Sequence, residues 1–389
     1  MEAEVSEVVG PKGRHDEGRS ATRHGHEDGS VTLGGRRVGV RRPRVRSADG
    51  EREVSIATYE HFADRDPLTR AVLDRMLAGV STRRFASVGE PVGTEVEEEA
   101  SSTSRSAVSR VFVERTRTGL GELMGRRLED IRLAAMMIDG LDISGRCHVV
   151  CLAITTEGVK VPLGLWEGST ENATLARALL SDLVDRGLDP EQGILFVIDG
   201  SKALRAAIGA VFGSRAPVQR CQRHKERNVT DQLPERDRPA IRRRLRAAWA
   251  LDDHQLARSR LDLLATELDA SWPDAARSLR EGIDETLTLT RLAISGQLAK
   301  TLSSTNPCES MIEIVRHTQR NVKSWKSGDM RLRWSAAGML EAENQFRRII
   351  GYRDLAKLAL AVEREVAATA ATSTMSTEAE EVIAEAVTV

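Results

Sequence analysis

Apolar and polar positions along the chain change their period twice. Residues 1 to about 34 are rich in Gly, His and charge, which predicts a flexible start. From Ser30 to Arg46, Val31, Leu33, Val38, Val40 and Val45 interleave with Gly and Arg as a short β piece. Helical spacing follows over Leu68 to Leu77, with a short turn at Gly79-Val80 and a second helix capped by Ser81. Ser101 to Thr116 predicts a helix with Val108, Val111 and Phe112 inside and Ser and Arg outside, including Arg105 and Arg110. Helix, turn and helix followed by a Ser/Arg-faced helix fits a DNA-reading arrangement, and equally a helical bundle packed on a neighbour. From Leu133 the period becomes strand-like: Ala134 to Asp139, Cys147 to Ile154, Val159 to Trp166, Ile194 to Asp199 and Val218 to Cys221. Amphipathic helices at Asn172 to Arg186 and Ser201 to Phe212 complete a βββαβαβ order, an α/β core with mixed strand directions. Residues from about Lys225 to Lys300 read as helical throughout, including Pro239 to Ala250 and His254 to Leu268. Another helix starts at Thr305-Asn306-Pro307, and the run from Ala367 is Ala/Thr/Glu-rich and frays.

Composition narrows the class. A chain of 389 residues exceeds one compact core, so two or three domains are expected. No apolar run approaches the roughly 18 residues of a membrane span, and the polar start is no secretory signal. Cys147, Cys151, Cys221 and Cys308 are too scattered for a disulfide framework, which suits a reducing cytoplasm. The net charge of −1 hides local basic stretches: Gly35 to Arg46 holds six arginines and no acid. Arg215 to Arg246 and Arg316 to Arg353 are also basic, while acid gathers at Glu95 to Glu99 and in the tail from Glu363 to Glu385. Such patches hold phosphates on a chain that is neutral overall, or they are solvated helix faces.

Two predicted strands end alike, in Ile138-Asp139-Gly140 and Ile198-Asp199-Gly200. An apolar strand gives each carboxylate a rigid base, and the glycine lets the chain turn away and leaves the acid open. Hard cations such as Mg²⁺ take oxygen ligands, and two of them about 4 Å apart can serve both oxygens of an in-line phosphoryl displacement. Asp139 and Asp199 fit two of the carboxylates this needs, with Asp142 a competing acid in the turn beyond. For the third, Glu309, Glu313, Glu341 and Glu343 all qualify by spacing. Asn306 as cap and Pro307 in the first turn would put Glu309 where the helix dipole favours its ionised form. Cys221-Gln222-Arg223-His224 offers a Cys-x-x-His pair: a zinc site if two more ligands join it, otherwise a buried pair supporting the last strand. Arg220, Arg223, Lys225 and Arg227 cluster after that strand. Arg316, Arg320, Lys323 and Lys326 recur at helical spacing with Trp325 among them, suited to phosphates and a stacked base. Trp325 and Trp334 can also be core.

Taken together, Met137-Ile138-Asp139-Gly140, the run Pro162 to Asn172 with its Trp166-Glu167-Gly168, Val197 to Leu204, Gln219 to Val229, and Ser304 to Ser310 resemble Mutator-type transposases of bacterial insertion sequences. The resemblance covers about Gly34 to Tyr352. It implies an RNase H-like catalytic core interrupted by a helical insertion, and it selects Glu309 as the third carboxylate. Cys308 then fills the apolar position directly before that Glu. Cys221 and His224 match a recurrent family feature. The expected division is a flexible basic segment with a short β piece at 1–59 and a helical DNA-binding region at 60–130. The core spans 131–224 and 301–352, the insertion 225–300, and a C-terminal helix with acidic tail 353–389. The resemblance further implies double-stranded DNA partners (terminal inverted repeats and target), multimers that pair transposon ends, and two Mg²⁺ or Mn²⁺ ions at Asp139, Asp199 and Glu309. The expected activity is phosphodiester hydrolysis followed by strand transfer. An inactive or domesticated DNA-binding remnant is the alternative, and an RNase H-like nuclease without strand transfer a third.

Overall fold

The computed structural model describes residues 1–14, 18–33, 36–63, 67–88, 104–168, 172–213 and 216–369. The Glu95 to Glu99 run, the expected helix start at Ser101, Ser169 to Glu171 and the tail beyond 369 lie outside the described residues. The chain divides into two compact units, Met1–Thr118 with Thr318–Lys323, and Gly119–His317 with Ser324–Val389.

In the first unit, helix α1 (Glu2–Val9) precedes strands β1 (Ala21–Leu33) and β2 (Arg36–Ser47), paired antiparallel from Ala21–Ser47 to Leu33–Arg36. Strand β3 (Glu53–Val54) adds to the other edge of β2. This corrects the expectation of a flexible start with only a short β piece. Val5 and Val9 of α1 pack with Ala21, Val45 and Ile56 into a small core, which orders what composition alone reads as loose. Helix α2 (Ala57–Ala63) is tied to α1, because the Glu4 carboxylate accepts the N–H groups of Ala57 at 2.6 Å and Thr58 at 3.0 Å. Those are first-turn donors with no partner inside their own helix.

Helix α3 (Pro67–Leu77) matches its expected range, but among the described residues no second α-helix starts at Ser81. The chain turns at Gly79 (φ 92°) and passes into a 3₁₀ turn, Ala86–Val88, so the helix–turn–helix is not formed among the described residues. Helix α4 (Arg105–Met124) is present and longer than expected, with the Ala107 N–H bound to the Ser104 hydroxyl at 3.2 Å.

The second unit is built on a five-stranded sheet in the order β6-β5-β4-β7-β8, with β4 (Leu133–Ile143), β5 (Arg146–Thr155), β6 (Lys160–Gly168), β7 (Leu195–Ile198) and β8 (Val218–Arg220). The first three run antiparallel, and β4, β7 and β8 are parallel. Apolar side chains alternate between its faces. Met136, Ile138, Phe196 and Ile198 pack with α5 (Ala173–Asp185) and α6 (Lys202–Phe212), whose first turns are capped by Asn172 and Ser201. On the other face Met137, Val150, Leu165, Leu195 and Val197 pack with later helices. A run of helices separates β8 from these: α7 (Gln222–Thr230), α8 (Arg238–Trp249), α9 (His254–Asp269), α10 (Pro273–Arg280), α11 (Ile283–Thr286), α12 (Thr288–Arg291) and α13 (Gly296–Leu302). Residues of α7 to α11 enclose a core of their own around Leu245, Leu261, Leu264, Leu268 and Leu279. Helices α14 (Asn306–Gln319), α15 (Gly328–Gln345) and α16 (355–369) then cover the sheet's second face.

Strand β4 does not stop at Asp139. It continues to Ile143, with Gly140 opposite Val149 and Ile143 opposite Arg146, so Gly140 is a strand residue and not the turn expected of it. Leu141 and Ile143 are buried on the α14 face and carry the strand onward.

Candidate active site

Strand β7 is shorter than β4, and that difference opens the site. Their parallel register runs Ala135–Leu195, Met136–Phe196, Met137–Val197, and β7 ends at Ile198. Continued by two residues on each chain, it sets Asp139 beside Asp199. Alternation puts both on the Met137/Val197 face, the one α14 packs against. Asp139 Oδ1 accepts the Gly140 N–H at 2.8 Å and Asp199 Oδ1 the Ser201 N–H at 2.8 Å. Gly200, unlike Gly140, is a true turn: its φ is 104°, and a Cβ there would collide with the Arg220 guanidinium.

Helix α14 brings the third acid. Pro307 stands in its first turn at no hydrogen-bond cost. Cys308, Met311, Ile312 and Val315 are buried against the sheet, so Cys308 does fill an apolar position. Glu309 looks outward from the same turn, its side chain 38% exposed. The Thr305 hydroxyl donates to Glu309 Oε1 at 2.8 Å, and His224 Nε2 stands 3.9 Å from the same oxygen. Burial, and then the charges of Asp199 and Glu309, push the Asp139 carboxyl up to about 6, against the Gly140 N–H and His224. The raised value comes chiefly from burial and only secondarily from the neighbouring negative charges.

Three of the four competing acids are otherwise engaged. Glu343 is held by Arg126 through two contacts of 2.8 Å, and Glu341 accepts from Gln345 at 2.7 Å. Asp142 is exposed and closes the β4–β5 turn through the Gly145 N–H at 3.2 Å. Glu313 is exposed, one turn beyond Glu309.

Cys221 and His224 come from the join of β8 and α7. The Cys221 N–H continues the sheet to the Ile198 carbonyl at 2.7 Å, and the Gln222 N–H reaches the Ser303 carbonyl at 2.8 Å, drawing α7 to the chain before α14. Arg223 strengthens this link by donating to Asn306 Oδ1 at 2.6 Å. Among the described residues, Cys221, His224 and Glu309 are the group whose ligand atoms all lie within 4.8 Å of one another. Burial would raise the Cys221 thiol, but His224 and Thr305 beside it outweigh that and hold it below its ordinary value. The Cys221 sulfur, then Asp139 and Glu309, raise the His224 imidazole against the effect of burial.

The expected phosphate-binding residues divide. Arg220 and Lys225 are corrected: they are buried, at 4% and 0% exposure. Lys225 Nζ donates to the carbonyls of Ser278 and Glu281, and Arg220 Nη1 to that of Glu281 at 2.8 Å. Together they satisfy the open C-terminal carbonyls of α10. Burial, and next the neighbouring Arg220, push Lys225 down to about 7. Arg223, Arg227 and Arg316 are exposed in the second unit. In the first, Arg105, Arg110 and Lys323 are exposed, and Arg320 donates to the Ala78 carbonyl where α3 ends. Trp325 is half-buried against the sheet core and Trp334 is buried.

Sequence reasoning missed Thr305, although its spacing of four before Glu309 on a helix start was a readable signal. It also missed Arg186, buried and bonded to Asp182 at 2.9 Å and to the carbonyls of Leu123 at 3.1 Å and Leu163 at 2.6 Å. A third omission is the buried His148, 3.2 Å from Glu167, which pairs in turn with Arg331.

The structure thus defines a mixed α/β protein in which β7 ends beside the continuing strand β4, on the sheet face that α14 covers. The profile described as "Transposase, Mutator family" matches residues 1–348, and the chain belongs to the Mutator family of transposases. It is 26% identical over 337 residues to the transposase for insertion sequence element IS256 in transposon Tn4001 of Staphylococcus aureus, covering 83% of this chain and 82% of that protein. It is 27% identical over 377 residues to the transposase for insertion sequence element ISRM5 of Rhizobium meliloti, covering 92% and 90%. Likeness to the transposase for insertion sequence element IS905 of Lactococcus lactis is 26% over 266 residues, covering 66% and 64%. No helix among the described residues is long and apolar enough to cross a membrane, and none of the four cysteines is in a disulfide.

Proposed function

We propose that this transposase cuts and joins the DNA ends of an insertion sequence, in the bacterial cytoplasm and as a multimer, with Asp139, Asp199 and Glu309 as ligands for two Mg²⁺ or Mn²⁺ ions. The observation that carries the reading is the β4–β7 register, which sets two carboxylates side by side on the face covered by the helix of Glu309. The donor set is all oxygen, the chemistry hard cations prefer, and the Asp139 carboxyl, raised by burial first and by the Asp199 and Glu309 charges next, would be held ionised by a cation. The metal would supply an activated attacking oxygen and charge for the leaving one. The protein holds the carboxylates: the backbone N–H groups of Gly140 and Ser201 orient the aspartates, and Thr305 orients Glu309. We read the sheet with its flanking helices as an RNase H-like core, and α7 to α13 as its helical insertion. Exposed Arg223, Arg227 and Arg316 on the second unit, and Arg105, Arg110 and Lys323 on the first, are the proposed phosphate contacts.

A cleavage and joining assay on the element's own ends tests this, with Mg²⁺ and with Asp139→Ala, Asp199→Ala and Glu309→Ala. Each variant is expected to lose both steps while still binding the ends. Wild-type activity in all three would overturn the assignment.

A further inference from the structure

Glu309 belongs to two donor sets of different chemical character. With Asp139 and Asp199 it belongs to an all-oxygen set; with Cys221 and His224 it forms a sulfur–nitrogen–oxygen set whose ligand atoms lie within 4.8 Å of one another. We propose that Cys221, His224 and Glu309 form a separate site for a borderline-soft divalent cation of the Zn²⁺ class, and that its occupancy withdraws Glu309 from the proposed hard-cation site.

Several features carry this. Ligands of one tetrahedral zinc ion stand roughly 3–4 Å apart, so modest side-chain rotation closes the observed group around an ion. Thiolate and imidazole favour zinc strongly over magnesium, whereas an all-carboxylate set suits magnesium and lacks that selectivity. Nδ1 of His224 is buried with no hydrogen-bond partner, an arrangement that costs free energy unless something else binds there. The ligands are rigidly based: Cys221 is anchored to the sheet through Ile198, His224 sits in the first turn of α7, and Glu309 in the first turn of α14. The links from Gln222 to Ser303 and from Arg223 to Asn306 hold those two helix starts together. Three protein ligands leave a fourth position for water. On binding, the thiol proton passes to solvent and the imidazole binds in its neutral form.

The withdrawal of Glu309 rests on the proposed transposition chemistry, but the binding does not, and the experiment separates them. Untagged full-length protein is titrated with Co²⁺, which takes zinc sites and reports a thiolate ligand by a near-ultraviolet charge-transfer band. The expected result is one equivalent of this band, bleached by one equivalent of Zn²⁺. It is lost in Cys221→Ser, lost or strongly weakened in His224→Ala, and kept in Cys308→Ser and Asp199→Asn. Circular dichroism confirms that each variant is folded; where Cys221→Ser is not, His224→Ala decides. No band at saturating Co²⁺, or one that survives both Cys221→Ser and His224→Ala, overturns the site. A second arm measures Mg²⁺-dependent cleavage with and without Zn²⁺ for each protein. Zinc is expected to inhibit the wild type, and a bound zinc that leaves cleavage unchanged overturns the withdrawal of Glu309. Absence of cleavage under all conditions with an intact cobalt band refutes the transposition chemistry and leaves the soft-cation site standing.

Discussion

Replacing Asp139 by Asn keeps the size of the side chain and its acceptor for the Gly140 N–H, and removes one negative charge. In the wild type, burial and then the Asp199 and Glu309 charges raise this carboxyl from 3.8 to about 6. A folded-state pKa above the unfolded one means that the native chain binds the proton more readily. This group therefore adds stability as pH falls from about 6 towards 4, and lends none of it at neutral pH, where the ionised acid is a penalty. A shift of about two pK units corresponds to roughly 3 kcal/mol, and partial contact with water reduces that to about 1–2 kcal/mol. Metal-free Asp139→Asn should therefore be about 1–2 kcal/mol more stable than wild type near neutral pH, with the gain disappearing towards about pH 4. Magnesium should reverse the order. A ligand at about a hundred times its Kd stabilises its protein by roughly 2.7 kcal/mol, and the variant forgoes most of this. Urea unfolding followed by tryptophan fluorescence, in chelator and in Mg²⁺, measures both terms. The reasoning is refuted if the chelated variant is no more stable than wild type at neutral pH, or if both gain equally from Mg²⁺.

Other sites give independent checks. Arg186→Ala strips the Leu123 and Leu163 carbonyls and Asp182 of their buried donor and should cost about 3 kcal/mol in urea unfolding. Gly200→Ala places a side chain at φ 104° and against Arg220, so a loss of about 2 kcal/mol or more is expected, with soluble yield as a first readout. Lys225, whose pKa is lowered to about 7, should make the protein more stable as pH rises from about 7 towards 10, because only the unfolded chain still holds that proton. Lys225→Met should flatten this slope, as read from urea midpoints across that range. Arg223→Ala combined with Arg227→Ala should weaken end binding similarly for all sequences and reduce the slope of log K against log salt by about 2, as measured by fluorescence anisotropy.

What the chain discloses on its own depends on the range of the interaction. The strands around Met137 and Val197 were legible because unbroken apolar runs need no distant partner to be recognised, and the two Ile-Asp-Gly ends came with them. The continuation of β4 beyond Asp139 was also written locally, in the alternation of Leu141 and Ile143, but the glycine between masked it. Lys225 shows the same tension. Charge suggested a phosphate contact, yet Cys221, Lys225 and Val229 recur every four residues and so share the buried face of α7. Spacing was the better guide there, because a lone cation can be buried wherever a helix end offers it carbonyl oxygens. The N-terminal sheet was legible only in part, as the β piece at Ser30 to Arg46, for a different reason. Its Gly- and Arg-rich strands carry little apolar signal, and their order comes from Val5, Val9 and the Glu4 cap on a helix some fifty residues later.

Selection among the acids was beyond local reasoning altogether. Glu309, Glu341 and Glu343 all sit on helices at usable spacings. What separates them is that Arg126, more than two hundred positions earlier, holds Glu343, while Glu309 accepts from Thr305 and lies 3.9 Å from His224. Each acid is thus distinguished by the groups packed around it, and those are a property of the assembled fold. The same condition makes Glu309 available to a second set of ligands, so exposure of the acid and its capture by a softer cation follow from one arrangement.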